Sequence, residues 1–166
     1  AIGWARAGEP IAAQERARRI GHAGEQLRAL SMIVEPLLAA GAHRQIDEAL
    51  AALPSADARS RYRAALAAAL ASQGEVGRAL EIAVQIGPPL ERARVLVAAA
   101  RAAAGAGDHT RAQAALGLAL RGAAALGRRE TFLCLSWAAD ALAAIGGPEL
   151  LLASAGALDE IDSWWG

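Results

Sequence analysis

Glycines recur at a fixed interval along this chain of 166 residues. The steps from Gly8 to Gly41, Gly74 and Gly107 are equal, and Gly146 follows after a slightly longer step. The segments GEVGRAL and GDHTRAQAAL, which begin at Gly74 and Gly107, both place an acidic residue after the glycine and alanine five positions after it. A period of about 33 residues is typical of repeat proteins, so the chain is predicted to consist of similar units that stack on one another.

Other positions keep the same character from unit to unit. Apolar residues lie five and twelve positions after each glycine, and leucine lies four positions before three of the glycines. In order these are Ala13, Ile46, Ala79, Ala112 and Leu151, then Ile20, Leu53, Ile86, Ala119 and Leu158, then Leu37, Leu70 and Leu142. So many matching positions indicate a true internal repeat.

Each unit is predicted to form two helices. Apolar residues recur at intervals of three and four, and the chain is rich in alanine, leucine and arginine, which favour helix. A glycine at the end of the first helix suits a left-handed C-terminal cap. Pro36 falls inside a first helix, so a kink or an early end is expected there. The six extra residues before Gly146 predict a longer second helix or loop in the fourth unit.

A pair of short helices cannot bury its apolar stripe alone, so neighbouring pairs must share one core. The fold class is therefore all-α, and residues 1–166 are predicted to form one domain. Because Gly8 would end a first helix, residues 1–8 are expected to be the tail of that helix, and the chain is expected to be a fragment of a larger protein.

The repeated glycine, acid and alanine resemble the turn of the tetratricopeptide repeat (TPR) family. The matching segments are GEVGRA and GDHTRA, with GEPIAA also similar and GAHRQI less so. The resemblance covers about four and a half units and implies a right-handed α-solenoid of helical hairpins. Here the family's turn aromatic is absent, and the usual Trp and Tyr of the first helix are Leu, Ala or Arg. HEAT or armadillo-type solenoids are the structural alternative.

Composition excludes several classes of partner. The 17 Arg and Lys residues balance 17 Asp and Glu residues, so no net charge draws the chain to nucleic acid or to an anionic membrane. Every one of these cations is arginine. Cys134 is the single cysteine and lies in the apolar run FLCLSW, which predicts a core position. No signal peptide and no membrane-spanning segment is expected, so the chain is predicted to be cytoplasmic.

The sequence lacks the motifs of common enzymes. It has no GxSxG, no Walker A loop and no HExxH, and GAGDHT follows a helix rather than a strand. His22, His43 and His109 are far apart in sequence and have no cysteine or carboxylate cluster near them, so a metal site is not expected. We therefore expect no enzyme activity, no catalytic residue, no metal and no cofactor.

In the TPR family the first helices line the concave face that binds partners. Carried over by register, this face holds arginine at the same place in three units and further polar residues beside them. The predicted partner-binding residues are Arg28, Ser31, Glu35, Arg61, Arg94, Arg101, Ser136 and Asp140, with Ala64, Ala68, Val97 and Leu133 on the same face. A guanidinium binds carboxylates in a bidentate manner, so an acidic or C-terminal peptide is the expected ligand.

A simpler interpretation of the arginines is also open. Each has an acid three or four residues before it, as Glu25–Arg28, Asp57–Arg61 and Glu91–Arg94, and such pairs stabilise an exposed helix. Duplication of the unit would copy the pattern without any role in binding. The carboxylate clamp of the family also uses Asn and Lys, which this sequence lacks.

The four tryptophans are a second group of candidates. Trp137 is predicted to be core and Trp4 to cover the inner face of the partial first unit. Trp164 and Trp165 would cover the last helix, anchor a partner or join two copies of the chain through an open end. The expected function is a protein-interaction or scaffold domain, and the alternative is a ligand-sensing domain of a larger bacterial signalling ATPase or transcriptional regulator.

Overall fold

The computed structural model describes residues 9–163, without the side chains of residues 148, 151, 154–155 and 157–163. Every regular element in this range is an α-helix. In chain order these are α1 (Pro10–Arg18), α2 (Ala23–Met32), α3 (Val34–Ala39), α4 (His43–Ala52), α5 (Ala56–Ser72), α6 (Val76–Ala83), α7 (Pro89–Gly105), α8 (His109–Ala124) and α9 (Arg128–Ser163). The predicted all-α class is confirmed. Gly8, Trp4, Trp164 and Trp165 lie outside the described residues.

The same turn joins three pairs of helices. Gly41, Gly74 and Gly107 have positive φ angles of 67°, 82° and 79°. After each glycine, the next backbone N–H donates to the carbonyl five residues earlier at 2.9 Å, while the glycine N–H donates to the carbonyl three residues earlier. This pair of bonds is the Schellman motif, which satisfies the last carbonyls of a helix. The regular spacing of the glycines in the sequence therefore corresponds to one local structure that recurs.

The equivalence that the sequence suggested for Gly146 is wrong by one residue. Gly147, with φ 66° and ψ −169°, interrupts α9, so this element consists of two helical segments that meet there. A side chain at Gly146 would place its Cβ 2.6 Å from the Cβ of Leu150. Gly146 is needed for close approach, and Gly147 is needed for the left-handed backbone.

The predicted break near Pro36 is confirmed and lies four residues before it. Helix α2 ends at Met32 and α3 begins at Val34, so Pro36 itself lies inside the short helix α3. A proline ring in a helix clashes with the carbonyl four residues earlier, which here belongs to Met32. The backbone also tightens at this break, because the Ile33 N–H bonds to the Leu30 carbonyl, three residues back, at 3.3 Å.

The extra residues of the fourth unit lengthen its second helix. Helix α8 has 16 residues, whereas α1, α4 and α6 have nine, ten and eight. The added turns are rich in alanine and leucine, which extend a helix without cost. Gly127, with a φ of 129°, follows its end.

The core follows the predicted repeated positions. Leu37, Leu70 and Ala103, four residues before the turn glycines, are all buried, as are Ala79 and Ala112, five residues after them. Helices contact those that are near them in the chain: α2 and α3 contact α5, α5 contacts α7, and α7 contacts α9. On the other side α1 contacts α4, and α6 contacts α8. Helices that precede a turn glycine therefore lie beside one another.

Candidate functional site

The predicted partner-binding residues lie on α2, α3, α5, α7 and the first segment of α9. Most of them are exposed, and Ser31 is half-buried. The exposed members are Arg28, Glu35, Arg61, Arg94, Arg101, Ser136 and Asp140. The placement of Val97 on the same face is wrong, because this residue is 4% exposed and packs in the core around Leu96 and Ala100. It lies three residues from Arg94, on the inward side of α7.

Only one of the three predicted arginine–acid pairs forms within the described chain. Arg61 Nε lies 3.1 Å from the Asp57 carboxylate, one turn away on α5. Both side chains are largely in solvent. Neither Glu25–Arg28 nor Glu91–Arg94 reaches ion-pair distance.

Two members of the predicted face meet across neighbouring helices. Arg101 on α7 and Asp140 on α9 form an ion pair with an N–O distance of 3.7 Å. Both side chains are exposed, so solvent screens the pair and it adds little to stability. The ion pair shows that α7 and α9 lie side by side.

Trp137 is half-buried rather than fully in the core. It packs against the cluster that contains Cys134 and Ala138, and the Arg94 guanidinium lies 5.9 Å from the centre of its ring. A cation over an indole face is attracted by the electrons of the ring. This contact orients Arg94 at the edge of the face. Ser136, one residue before Trp137, donates its hydroxyl hydrogen to the Leu133 carbonyl at 2.7 Å and keeps its oxygen as an acceptor.

A pocket that the sequence did not reveal lies between α4 and α6. It has a volume of about 110 Å³. Its floor is apolar and comes from α3, α4, α5 and α6, while charged or polar side chains stand around it. The lining residues are Leu38, His43, Ile46, Asp47, Leu66, Leu70, Arg78, Glu81 and Ile82. No sequence pattern pointed to it, because α4 and α6 are far apart in the chain and their charged positions look like ordinary solvated faces.

Tyr62, the only tyrosine of the chain, lies on α5 in the core cluster that also contains Leu66 and Leu70. The residue is 0% exposed, and its hydroxyl has no hydrogen-bond partner among the described residues. Burial, together with the negative charge of Asp47, raises the pKa of Tyr62 above its ordinary value. The next residue, Arg63, also has a buried Nε without a partner in this part of the chain. An unpaired buried polar atom costs stability, so both call for an explanation.

The raised pKa of Tyr62 predicts a loss of stability in alkali. Above about pH 10 the unfolded chain releases the tyrosine proton while the folded chain keeps it, so the unfolded state gains. The free energy of unfolding should then fall by about 1.4 kcal/mol per pH unit from this group, until the pH reaches the folded pKa. Tyrosinate absorbance and helicity should change at the same pH.

The Tyr62→Phe variant isolates this effect. Burial also raises the pKa of the Cys134 thiol, which acts in the same direction. The difference between the two proteins therefore reports Tyr62 alone. A wild-type chain that forms tyrosinate near about pH 10, the ordinary pKa of tyrosine, while still fully helical would contradict the buried hydroxyl.

Neither a metal centre nor a membrane-spanning helix is seen in the part of the chain that the structure describes. No three His, Cys, Asp or Glu side chains of residues 9–163 with described side chains are grouped to hold a metal ion. The described helices are also too short or too polar to cross a bilayer. Cys134 is buried with a raised pKa, which leaves its thiol protonated and a poor nucleophile.

Comparison with known proteins adds no further constraint. The chain matches no protein-family model, no curated protein and no solved structure.

Proposed function

We propose that this chain is a non-catalytic protein-interaction domain, built as a right-handed, TPR-like α-solenoid. Its partner would be an acidic peptide or helix that lies across α2, α3, α5, α7 and the first segment of α9. The observation that carries the proposal is the position of Arg28, Arg61 and Arg94. They are exposed, equally spaced in the sequence and located on helices that contact one another in turn, α2 with α5 and α5 with α7.

Contacts between equivalent helices support the stacking. Among helices that precede a turn glycine, Arg101 of α7 meets Asp140 of α9 at 3.7 Å. On the other side of the array, Gln14 Nε2 of α1 donates to the Gln45 carbonyl of α4 at 2.6 Å. Each contact joins two helices that occupy the same place in successive units. An array of this kind grows by adding units along one axis and presents a long surface to a partner.

The charges of the face support an acidic ligand. Arg28 and Arg94 have no carboxylate within ion-pair distance among the described residues. Arg61 forms an ion pair with Asp57 alone. A guanidinium that keeps free N–H groups can bind a carboxylate with two parallel hydrogen bonds. Glu35 and Asp140 on the same face would select the register of the peptide by repelling misplaced acids.

A charge-reversal experiment tests the proposal. The Arg28→Glu/Arg61→Glu/Arg94→Glu variant and the unchanged chain would each be used in a pull-down read by mass spectrometry. We expect the variant to lose the partner, because three favourable contacts become repulsive. Circular dichroism should show the same helicity in both, since the three side chains are exposed.

A matched control reverses three other arginines. Arg44→Glu/Arg111→Glu/Arg121→Glu makes the same change in net charge at exposed positions on α4 and α8. This control should retain the partner. If both variants lose it, or both retain it, the three-arginine face is not the binding site.

The alternative is a ligand-sensing domain of a larger bacterial signalling ATPase or transcriptional regulator. The pocket between α4 and α6 is the observation that favours it, because it brings charged groups over an apolar floor. Its volume of about 110 Å³ is small, since sites for typical small ligands measure about 300–1,000 Å³. We therefore place the interaction domain first.

A further inference from the structure

On the basis of the proposed interaction domain, we infer that its partner is an amphipathic helix with acidic residues along one edge of its apolar stripe. This stripe docks on apolar side chains that lie beside the three arginines of the face. They form an apolar row across α2, α5, α7 and the first segment of α9, which consists of Met32, Ala65, Ala98 and Trp137.

The apolar row runs parallel to the row of arginines. Residues four apart in a helix lie one above the other on the same side of it. On α2, α5 and α7 the residue four positions after the arginine belongs to the apolar row, which gives the pairs Arg28–Met32, Arg61–Ala65 and Arg94–Ala98. Since α2 contacts α5 and α5 contacts α7, the two rows lie side by side, about 6 Å apart.

Trp137 extends the apolar row onto α9. The Arg94 guanidinium lies 5.9 Å from the centre of the Trp137 ring. Asp140, three residues after Trp137, pairs with Arg101 of α7 at 3.7 Å. These two contacts place Trp137 beside the stretch of α7 that runs from Arg94 to Arg101 and contains Ala98.

The apolar row has bulky residues at its ends and small ones between them. Met32 is 50% exposed although it is apolar, and Trp137 is half-buried. Ala65 and Ala98, on the two helices between, are also half-buried and leave room for larger apolar side chains of a partner. An exposed apolar surface rimmed by polar residues marks an interaction site, and the flexible methionine side chain adapts to what it contacts.

The charges beside the apolar row select an acidic edge on the partner. Arg28 and Arg94 have no ion pair among the described residues, so they favour carboxylates brought by a partner. A helix turns by about 100° per residue, so it can carry acids directly beside its apolar stripe. Successive side chains of an extended strand point to opposite sides, so a strand docked on the apolar row would direct its next side chains away from the arginines. A helix therefore fits both rows at once.

The length of the apolar row sets the length of the partner helix. The row spans three steps between neighbouring helices. Packed helices lie about 8–10 Å apart, so Met32 and Trp137 are separated by at most about 30 Å. A helix rises about 1.5 Å per residue, so about 20 residues cover the row.

Two peptides of defined pattern test the apolar row. The amphipathic probe has about 20 residues, with leucine along one face of the helix and glutamate along one edge of that face. The scrambled probe has the same residues in an order that keeps the charge and destroys the stripe. Binding of each fluorescently labelled probe to the whole chain is measured by fluorescence anisotropy. We expect the amphipathic probe to bind at least about tenfold more tightly, because only it can bury its leucines while it pairs its glutamates.

Neutral substitutions separate the apolar row from the arginines. Met32→Ser should weaken binding of the amphipathic probe by about fivefold, because the exposed half of the methionine no longer contacts the leucines. Leu118→Ser is the matched control. It removes a similarly exposed apolar side chain on α8, outside the row, and should leave the affinity unchanged.

A second pair of variants tests the middle of the apolar row. Ala65→Gln/Ala98→Gln should weaken binding by at least about tenfold, because two amides would be buried under the leucines without hydrogen-bond partners. Glutamine favours helix, so circular dichroism should show an unchanged fold. The control Ala114→Gln/Ala124→Gln makes the same change at exposed positions of α8 and should bind normally.

Equal binding of the two probes, or binding of neither, would overturn the inference. Equal losses of affinity in the variants of the apolar row and in their α8 controls would overturn it as well. The Arg28→Glu/Arg61→Glu/Arg94→Glu variant tests the proposed function separately. If the unchanged chain binds both probes equally and this variant binds neither, the arginine face is correct and the apolar row is wrong. If this variant retains the amphipathic probe while Met32→Ser weakens its binding, the apolar row is correct and the role proposed for the arginines is wrong.

Discussion

Replacing Leu37 by alanine is expected to lower the free energy of unfolding by about 2–5 kcal/mol. Leu37 is 0% exposed and belongs to the core cluster that also holds Leu30, Ile46 and Leu70. It lies four residues before a turn glycine, at a position that recurs in each unit. Truncation removes buried methyl groups and leaves a cavity, because helices α3 and α5 cannot both move inward to fill it.

The matched control for Leu37 is Leu118→Ala. Leu118 lies on α8 and is 41% exposed, so the same chemical change removes atoms that are already partly in water. Its cost should be about 0.5 kcal/mol or less. Urea denaturation followed by circular dichroism and by tryptophan fluorescence measures both variants. Equal losses in the two variants would mean that the repeated leucine position is not the core position.

The second large effect is that replacing glycine by alanine should lower the stability at Gly74 and raise it at Gly122. Gly74→Ala should destabilise by about 1–2 kcal/mol, because alanine at a φ of 82° places its Cβ against its own backbone. No other atom lies within 4 Å of the added Cβ, so the backbone alone determines the cost. Gly107→Ala, at the equivalent turn with φ 79°, should lose a similar amount.

Gly122→Ala is expected to stabilise the protein by about 0.5–1 kcal/mol. Gly122 lies within α8 with ordinary helical backbone, and an added Cβ meets nothing within 4 Å. Alanine there reduces the freedom of the unfolded chain without a clash in the folded one. Denaturation midpoints of the three variants compare them directly. A loss at Gly122 or a gain at Gly74 would contradict the backbone angles assigned to these residues.

The sequence predicted local structure well because local structure depends on neighbours in the chain. The glycine spacing predicted the turns at Gly41, Gly74 and Gly107, and Pro36 predicted the break that ends α2 at Met32. The error at Gly146 has the same origin. In the pair Gly146–Gly147 either residue could take the left-handed angle, and the close approach of Leu150 to Gly146 is a contact that spacing does not show.

The sequence predicted the exposure of Arg28, Arg61 and Arg94 but not which of them form ion pairs. The exposure of Arg28, Arg61 and Arg94 follows from helical periodicity, because the opposite side of each helix carries the apolar stripe. Their ion pairs could not be predicted, since two of the three acids with suitable spacing do not reach their arginines. Side-chain rotamers and the contact of Arg94 with Trp137 decide this, and both depend on the neighbouring helix.

Residue order alone was enough to establish that this chain is helical, that its turns recur at a regular interval and that repeated apolar positions such as Leu37, Leu70 and Ala79 lie in the core. Periodicity and glycine conformation are properties of single helices and turns, so they can be derived from the sequence. The packing of the helices was needed to bring Arg101 to Asp140 and to place Asp47, Arg78 and Glu81 around one pocket. These contacts join residues of separate helices, and the distance between them is set by how side chains pack where helices meet.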